Sequence, residues 1–113
     1  ASENRAANAL ARHYPGGFDA CIAAMRSKAA RLGMLRSRFV EPTGLSSGNV
    51  ATPSDLTRLV RAAAADPRIR DWSTAPSMVG DVRGRPTEFR NTDRLVHDER
   101  WSLALPDAAD TRA

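Results

Sequence analysis

Apolar residues recur at helical spacing in three stretches of the chain. Ala7, Leu10, Ala11 and Tyr14 fall at i, i+3, i+4 and i+7, which predicts a first helix over about Glu3 to Arg12 with these residues on one face. Pro15-Gly16-Gly17 ends it, because proline lacks the N–H that a helix requires and glycine takes positive φ without steric cost. A second helix is predicted from Phe18 to Leu32. Its apolar stripe holds Phe18, Cys21, Ile22, Met25, Ala29 and Leu32, it turns Arg26, Lys28 and Arg31 to water, and Gly33 is the natural cap. From Met34 to Val50 no helical period survives, and Pro42, Gly44 and Gly48 among hydroxyl residues predict a long ordered loop, a class of segment that is often functional. Thr52-Pro53-Ser54-Asp55 then opens a third helix, with Thr52 as N-cap, Pro53 at the first helical position and Asp55 in the capping-box position. Its buried stripe is expected to be Leu56, Leu59, Val60, Ala63 and Ala64, with Asp66-Pro67 as the stop.

Beyond a short helical turn near Arg68 to Trp72 the period changes from helical to alternating. Met78 to Val82 and Thr87 to Asn91 are predicted as two strands joined through Arg83-Gly84-Arg85, and Trp101 to Leu105 as a third. Residues 106–113, which carry no apolar period, are expected to form a divergent, disordered tail. Helices followed by two or three antiparallel strands make an α+β chain. So small a sheet leaves bare edges, and an incomplete domain is the physical reading of that.

Composition narrows the function classes. The chain has 113 residues and is 42% hydrophobic, but 20 residues are Ala, so large core-forming side chains are scarce. No run of roughly 18 apolar residues exists to cross a membrane, and Cys21 is alone, which excludes a disulfide scaffold. The net charge is +4 and the pI about 10.5, yet the arginines are scattered and often sit beside an acid, as in Arg70-Asp71 and Asp93-Arg94. Nucleic-acid binders concentrate charge on one face, so no nucleic-acid partner is expected. His13 and His97 have no second ligand at metal spacing, and neither a metal nor a cofactor is expected. Cys21, on an apolar stripe, is expected to be a buried, unreactive thiol. The chain opens Ala1-Ser2-Glu3 without a charged n-region or an apolar h-region, so any export signal is expected upstream or not at all.

Ser2-Glu3-Asn4 stands where a loop turns into a helix. There a hydroxyl and a carboxamide two residues apart can face one cleft, the first passing a proton and the second bonding a substrate carbonyl. As a bare pattern this says little, since Ser47-Gly48-Asn49 repeats it and, without further context, a helix N-cap is the favoured role for Ser2. The runs SENRAANALARHYPGG, FVEPTGLSSGNVATPSDLTRLV and FRNTDRLV, in this order and spacing, supply the context. From Ala1 to Leu105 the chain resembles the serine-type D-alanyl-D-alanine peptidases, the low-molecular-mass penicillin-binding proteins, and particularly their endopeptidase branch.

The resemblance implies a partial domain of the β-lactamase and penicillin-binding-protein type over residues 1–105. It implies an exported parent, periplasmic or extracytoplasmic, whose partners are peptidoglycan stem peptides and β-lactams. Catalysis in that family uses Ser-x-x-Lys for the nucleophile and its base, then Ser-x-Asn, then Lys-Thr-Gly. Ser2 would belong to the proton relay as a catalytic residue, and Asn4 would bind the substrate's peptide carbonyl. Lys28 is the only lysine; Met25 stands three residues before it and Ala29-Ala30 follow it, so these 113 residues hold neither flanking motif. Without them no acyl-enzyme is expected from this chain alone. Arg38 to Leu45 resembles the family's loop near the cleft and is expected to be structural. Where this chain has Arg90-Asn91-Thr92-Asp93 the family often has Asn-Thr-Asn; Asp93 departs from that, and Asn91 is expected to be a turn residue or one that satisfies backbone groups. A contrasting reading is a non-catalytic helical interaction module that keeps the scaffold and binds a partner through its hairpin edge.

Overall fold

The computed structural model describes residues 3–98. They form two compact units that divide within a helix near Ala62. Ser2, the predicted strand at Trp101–Leu105 and the 106–113 segment lie outside the described residues.

In the first unit, helix α1 (Asn4–Arg12) packs against α2 (Phe18–Arg31). Glu3, not Ser2, is the N-cap of α1: its carboxylate accepts the Arg5 N–H at 3.0 Å. The connection is tight. Gly16 and Gly17 take φ of 94° and 90°, and a Cβ on Gly16 would stand 2.9 Å from that of Ala20. Helix α2 closes in a Schellman motif, with the Gly33 N–H donating to Ala30 and the Met34 N–H to Ala29, and Gly33 at φ 78°.

The core of this unit is small: Ala11, Ile22, Ala29 and Met34 are its buried apolar residues. Two apolar faces are less covered than their periodicity suggests. Leu10 on α1 is 76% exposed, and along the stripe of α3 (Pro53–Ala64) Leu56, Leu59 and Val60 are exposed, Val60 at 63%, while Ala63 and Ala64 are half-buried. Periodicity states which side chains share a face; a neighbour must still cover it.

Helix α3 starts as predicted, with Thr52 Oγ1 accepting the Asp55 N–H at 3.1 Å. Asp55 does not complete a capping box. Its buried carboxylate instead reaches back to the loop, where Oδ2 accepts the Arg36 N–H at 2.9 Å and the Ser37 hydroxyl at 2.8 Å.

In the second unit, Asp66-Pro67 does more than end α3. Asp66 caps a further helix, α4 (Pro67–Thr74), by accepting the Arg68 N–H at 2.9 Å, with Pro67 at its first position. Strands β1 (Ser77–Val82) and β2 (Arg85–Arg90) form an antiparallel hairpin in which Ser77 faces Arg90 and Val82 faces Arg85. The turn is the two residues Arg83-Gly84, at φ 54° and 79°, rather than the three expected. The Gly84 N–H donates to Asp81 Oδ1 at 2.6 Å. Asn91 does satisfy backbone, its Nδ2 donating to the carbonyls of Ser73 at 2.7 Å and Ala75 at 3.0 Å. A 3-10 turn (Arg94–His97), capped by Asp93, ends the described chain.

Candidate active-site segment

Asn4 is the first residue of α1 and is half-buried. Its helix is fixed by the seating of Ala11, 1% exposed, against α2. Glu3 is occupied locally. It accepts the Arg5 N–H and pairs with Arg5 Nε at 3.2 Å, which holds the Glu3 carboxyl below its ordinary range and the Arg5 guanidinium above its own. Among the described residues no hydrogen bond is made by the Asn4 side chain, whose carboxamide offers both a donor and an acceptor to a ligand. The other Ser-x-Asn is different in kind, because Asn49 is wholly engaged in holding its own loop.

That loop, Met34 to Val50, is built round Glu41 and Asn49. The Glu41 carboxylate accepts the N–H and hydroxyl of Thr43, the Gly44 N–H at 2.7 Å, the Ser46 N–H at 3.3 Å and Asn49 Nδ2 at 2.7 Å. Asn49 Oδ1 in turn accepts the Val40 N–H at 2.7 Å and the Glu41 N–H at 3.2 Å. The Thr43 hydroxyl foremost, then the backbone N–H groups, hold the Glu41 carboxyl down at about 2, against the opposing effect of partial burial. Arg38 and Val50 exchange backbone bonds at 2.7 and 2.9 Å, and Arg26 Nε donates to the Phe39 carbonyl at 2.8 Å, tying the loop to α2. The expectation of a structural role for Arg38 to Leu45 fits this arrangement, though the residues that create it, Glu41 and Asn49, carried no periodic signal.

Cys21 is half-buried rather than fully buried, and it lines an apolar groove of about 420 Å³ with Met25, Lys28, Leu32 and Phe39. Among the described residues no cluster of His, Cys, Asp and Glu could hold a metal ion, and no helix is long and apolar enough to cross a membrane. His97 Nε2 lies 2.9 Å from the Asn91 carbonyl, a local contact.

Comparison with known proteins gives this segment its setting. A family model described as D-alanyl-D-alanine carboxypeptidase matches residues 1–108. The chain belongs to that family. It is 48% identical to a D-alanyl-D-alanine endopeptidase of Escherichia coli, over 99% of this chain and 37% of the relative. It is 47% identical to one of Pseudomonas aeruginosa, over 92% of this chain and 34% of the relative. In structure it resembles a D-alanyl-D-alanine carboxypeptidase of Mycobacterium tuberculosis at a TM-score of 0.78 and 34% identity, over 87% of this chain and 38% of that one. The fold is therefore the α+β fold of the penicillin-binding-protein-like peptidases, of which the chain spans about a third of the length.

Proposed function

We propose that these residues are the central segment of a serine-type D-alanyl-D-alanine endopeptidase or carboxypeptidase that cleaves peptidoglycan stem peptides through an acyl-enzyme. Residues 1–105 are the part of the catalytic domain present here. In this reading Ser2 relays the proton between the nucleophile, its lysine and the leaving nitrogen, and Asn4 bonds the substrate's peptide carbonyl. The parent works outside the cytoplasm and is acylated by β-lactams. The observation that carries the assignment of Asn4 is its carboxamide, held at the start of a helix packed on its neighbour and bonded to no described residue. A half-buried carboxamide left with free bonding capacity is suited to a ligand.

Acylation requires a serine paired with a base, and neither Ser-x-x-Lys nor Lys-Thr-Gly occurs in the 113 residues. The chain alone is therefore inactive, and chain outside these residues must supply both motifs. The test is a transplant of residues 1–105 into the E. coli relative in place of the aligned segment. A folded chimera is expected to take up labelled penicillin covalently, the isolated chain to show no mass shift, and Asn4→Ala or Ser2→Ala in the chimera to slow acylation by roughly 10²-fold, the usual scale for losing one preorganised polar group. Acylation of the isolated chain, or full rates in both variants, would overturn the assignment.

A further inference from the structure

The hairpin of the second unit has two unequal edges. The Asn91 N–H donates to the Pro76 carbonyl at 2.8 Å, so 76 and 91 are a hydrogen-bonded pair. Alternation then makes 78 with 89, 80 with 87 and 82 with 85 the inward-bonding pairs, and turns the N–H and C=O groups of Ser77, Val79 and Asp81 outward from β1. On β2 the outward positions are Pro86, Glu88 and Arg90. Proline there lacks an N–H and the other two side chains are charged, which are the devices that blunt an edge strand. The β1 edge has no proline at its outward positions. Its one charged side chain, Asp81, is engaged in its own turn, Val79 is 69% exposed, and no described residue bonds the outward groups.

We infer that the β1 edge is an interface for a second copy of this chain, paired antiparallel across a two-fold axis at Val79. The register is self-complementary. Val79 faces Val79 of the second copy, with each outward N–H meeting a carbonyl, and Asp81 faces Ser77, so no like charges meet. Met78 faces Gly80, where the absence of a side chain leaves room for the thioether. The same operation on β2 about Glu88 would set two carboxylates against each other, so charge selects β1. Joining the hairpins makes a four-stranded sheet from two-stranded ones, which by themselves are marginal in water. It also makes continuous the apolar face carrying Met78, Val82 and Phe89, beside which Trp72 is 71% exposed.

Sedimentation equilibrium of the full chain tests this. The 12.2 kDa chain is expected to sediment at twice that mass at micromolar concentration. Val79→Pro removes only an outward N–H and is expected to weaken association at least tenfold. Glu88→Pro makes the equivalent change on β2 and is expected to leave the dimer intact. Val79→Lys, which places two cations at the axis without touching the backbone, is expected to act like Val79→Pro and covers the case in which proline disturbs the hairpin. A monomer at 100 µM overturns the inference. So does a dimer indifferent to both Val79 substitutions, or one that Leu59→Lys on α3 dissociates while they do not.

Discussion

Removing the Asp55 carboxylate tests how the first unit is held together. Both bonds it receives, from the Arg36 N–H at 2.9 Å and the Ser37 hydroxyl at 2.8 Å, end on the same oxygen, Oδ2, in a side chain only 5% exposed. Hydrogen bonds to a charged group contribute about 1.5–3 kcal/mol each, and an orphaned buried donor costs its desolvation as well. The Ser37 hydroxyl can rotate toward water, so the losses are not additive, and Asp55→Ala is expected to cost about 2–4 kcal/mol. Asp55→Asn should cost about half, because one amide oxygen can sit where Oδ2 sits and receive both donors without the charge. With a core of Ala11, Ile22, Ala29 and Met34, the alanine variant is expected to come close to unfolding the unit.

The assay must see this unit alone. Trp72 and Trp101 both lie outside it, so tryptophan fluorescence reports elsewhere, and peptide-resolved hydrogen exchange is the suitable measurement. Since about 1.4 kcal/mol is a tenfold change, Asp55→Ala should raise exchange over residues 34–55 by about 30-fold or more, and Asp55→Asn by about tenfold. Exchange unchanged in Asp55→Ala would show that this carboxylate does not anchor the loop. Equal effects from the two substitutions would show that charge plays no part.

Other outcomes follow from the same geometry. Glu41 titrates at about 2 when folded against 4.5 otherwise, so its contribution to loop stability is fully present above about pH 4.5 and is lost as pH falls toward 2; carboxyl NMR titration should give the low midpoint, and a midpoint near 4.5 would contradict the network. Arg83→Gly should stabilise the hairpin by a few tenths to 1 kcal/mol, because a side chain at φ 54° is strained where glycine is not; a urea midpoint followed through Trp72 would show it, and a destabilised hairpin would refute it. Gly16→Ala should cost more than 1 kcal/mol in a thermal melt, since φ of 94° and the 2.9 Å approach to Ala20 both oppose a Cβ; a neutral result would mean the turn can relax.

What the sequence discloses here is local, and what it hides is long-range. Thr52-Pro53 announced α3 because an N-cap and a proline at the first turn act within three residues. The same pair of signals at Asp66-Pro67 reads as a stop for α3, and the helical turn expected near Arg68 to Trp72 is in the structure a full helix, α4, that the pair also opens. The hairpin is legible from alternation, but its turn is one residue shorter than Arg83-Gly84-Arg85 suggests, because arginine is an uncommon occupant of a positive-φ position. Of the two residues proposed for the active site, Asn4 lies at the start of α1, close to the predicted helix boundary, and Ser2 lies outside the described residues.

The loop from Met34 to Val50 shows the limit most sharply. Its order comes from three polar side chains, Glu41, Asn49 and Asp55, that collect backbone N–H groups lying 2 to 19 residues away. Such bonds follow no hydrophobic period, so nothing in a window of the sequence marks them. They also explain how a segment with so little buried apolar surface can be ordered at all: the backbone polar groups that a loop would otherwise leave to water are bonded within the protein. If that is the organising principle, carboxylate-to-alanine changes at Asp55 and Glu41 should disorder the loop more than Leu45→Ala, whose side chain is 74% exposed despite its apolar character. The reverse ranking in exchange over residues 34–50 would mean that apolar contacts, not captured N–H groups, give the loop its shape.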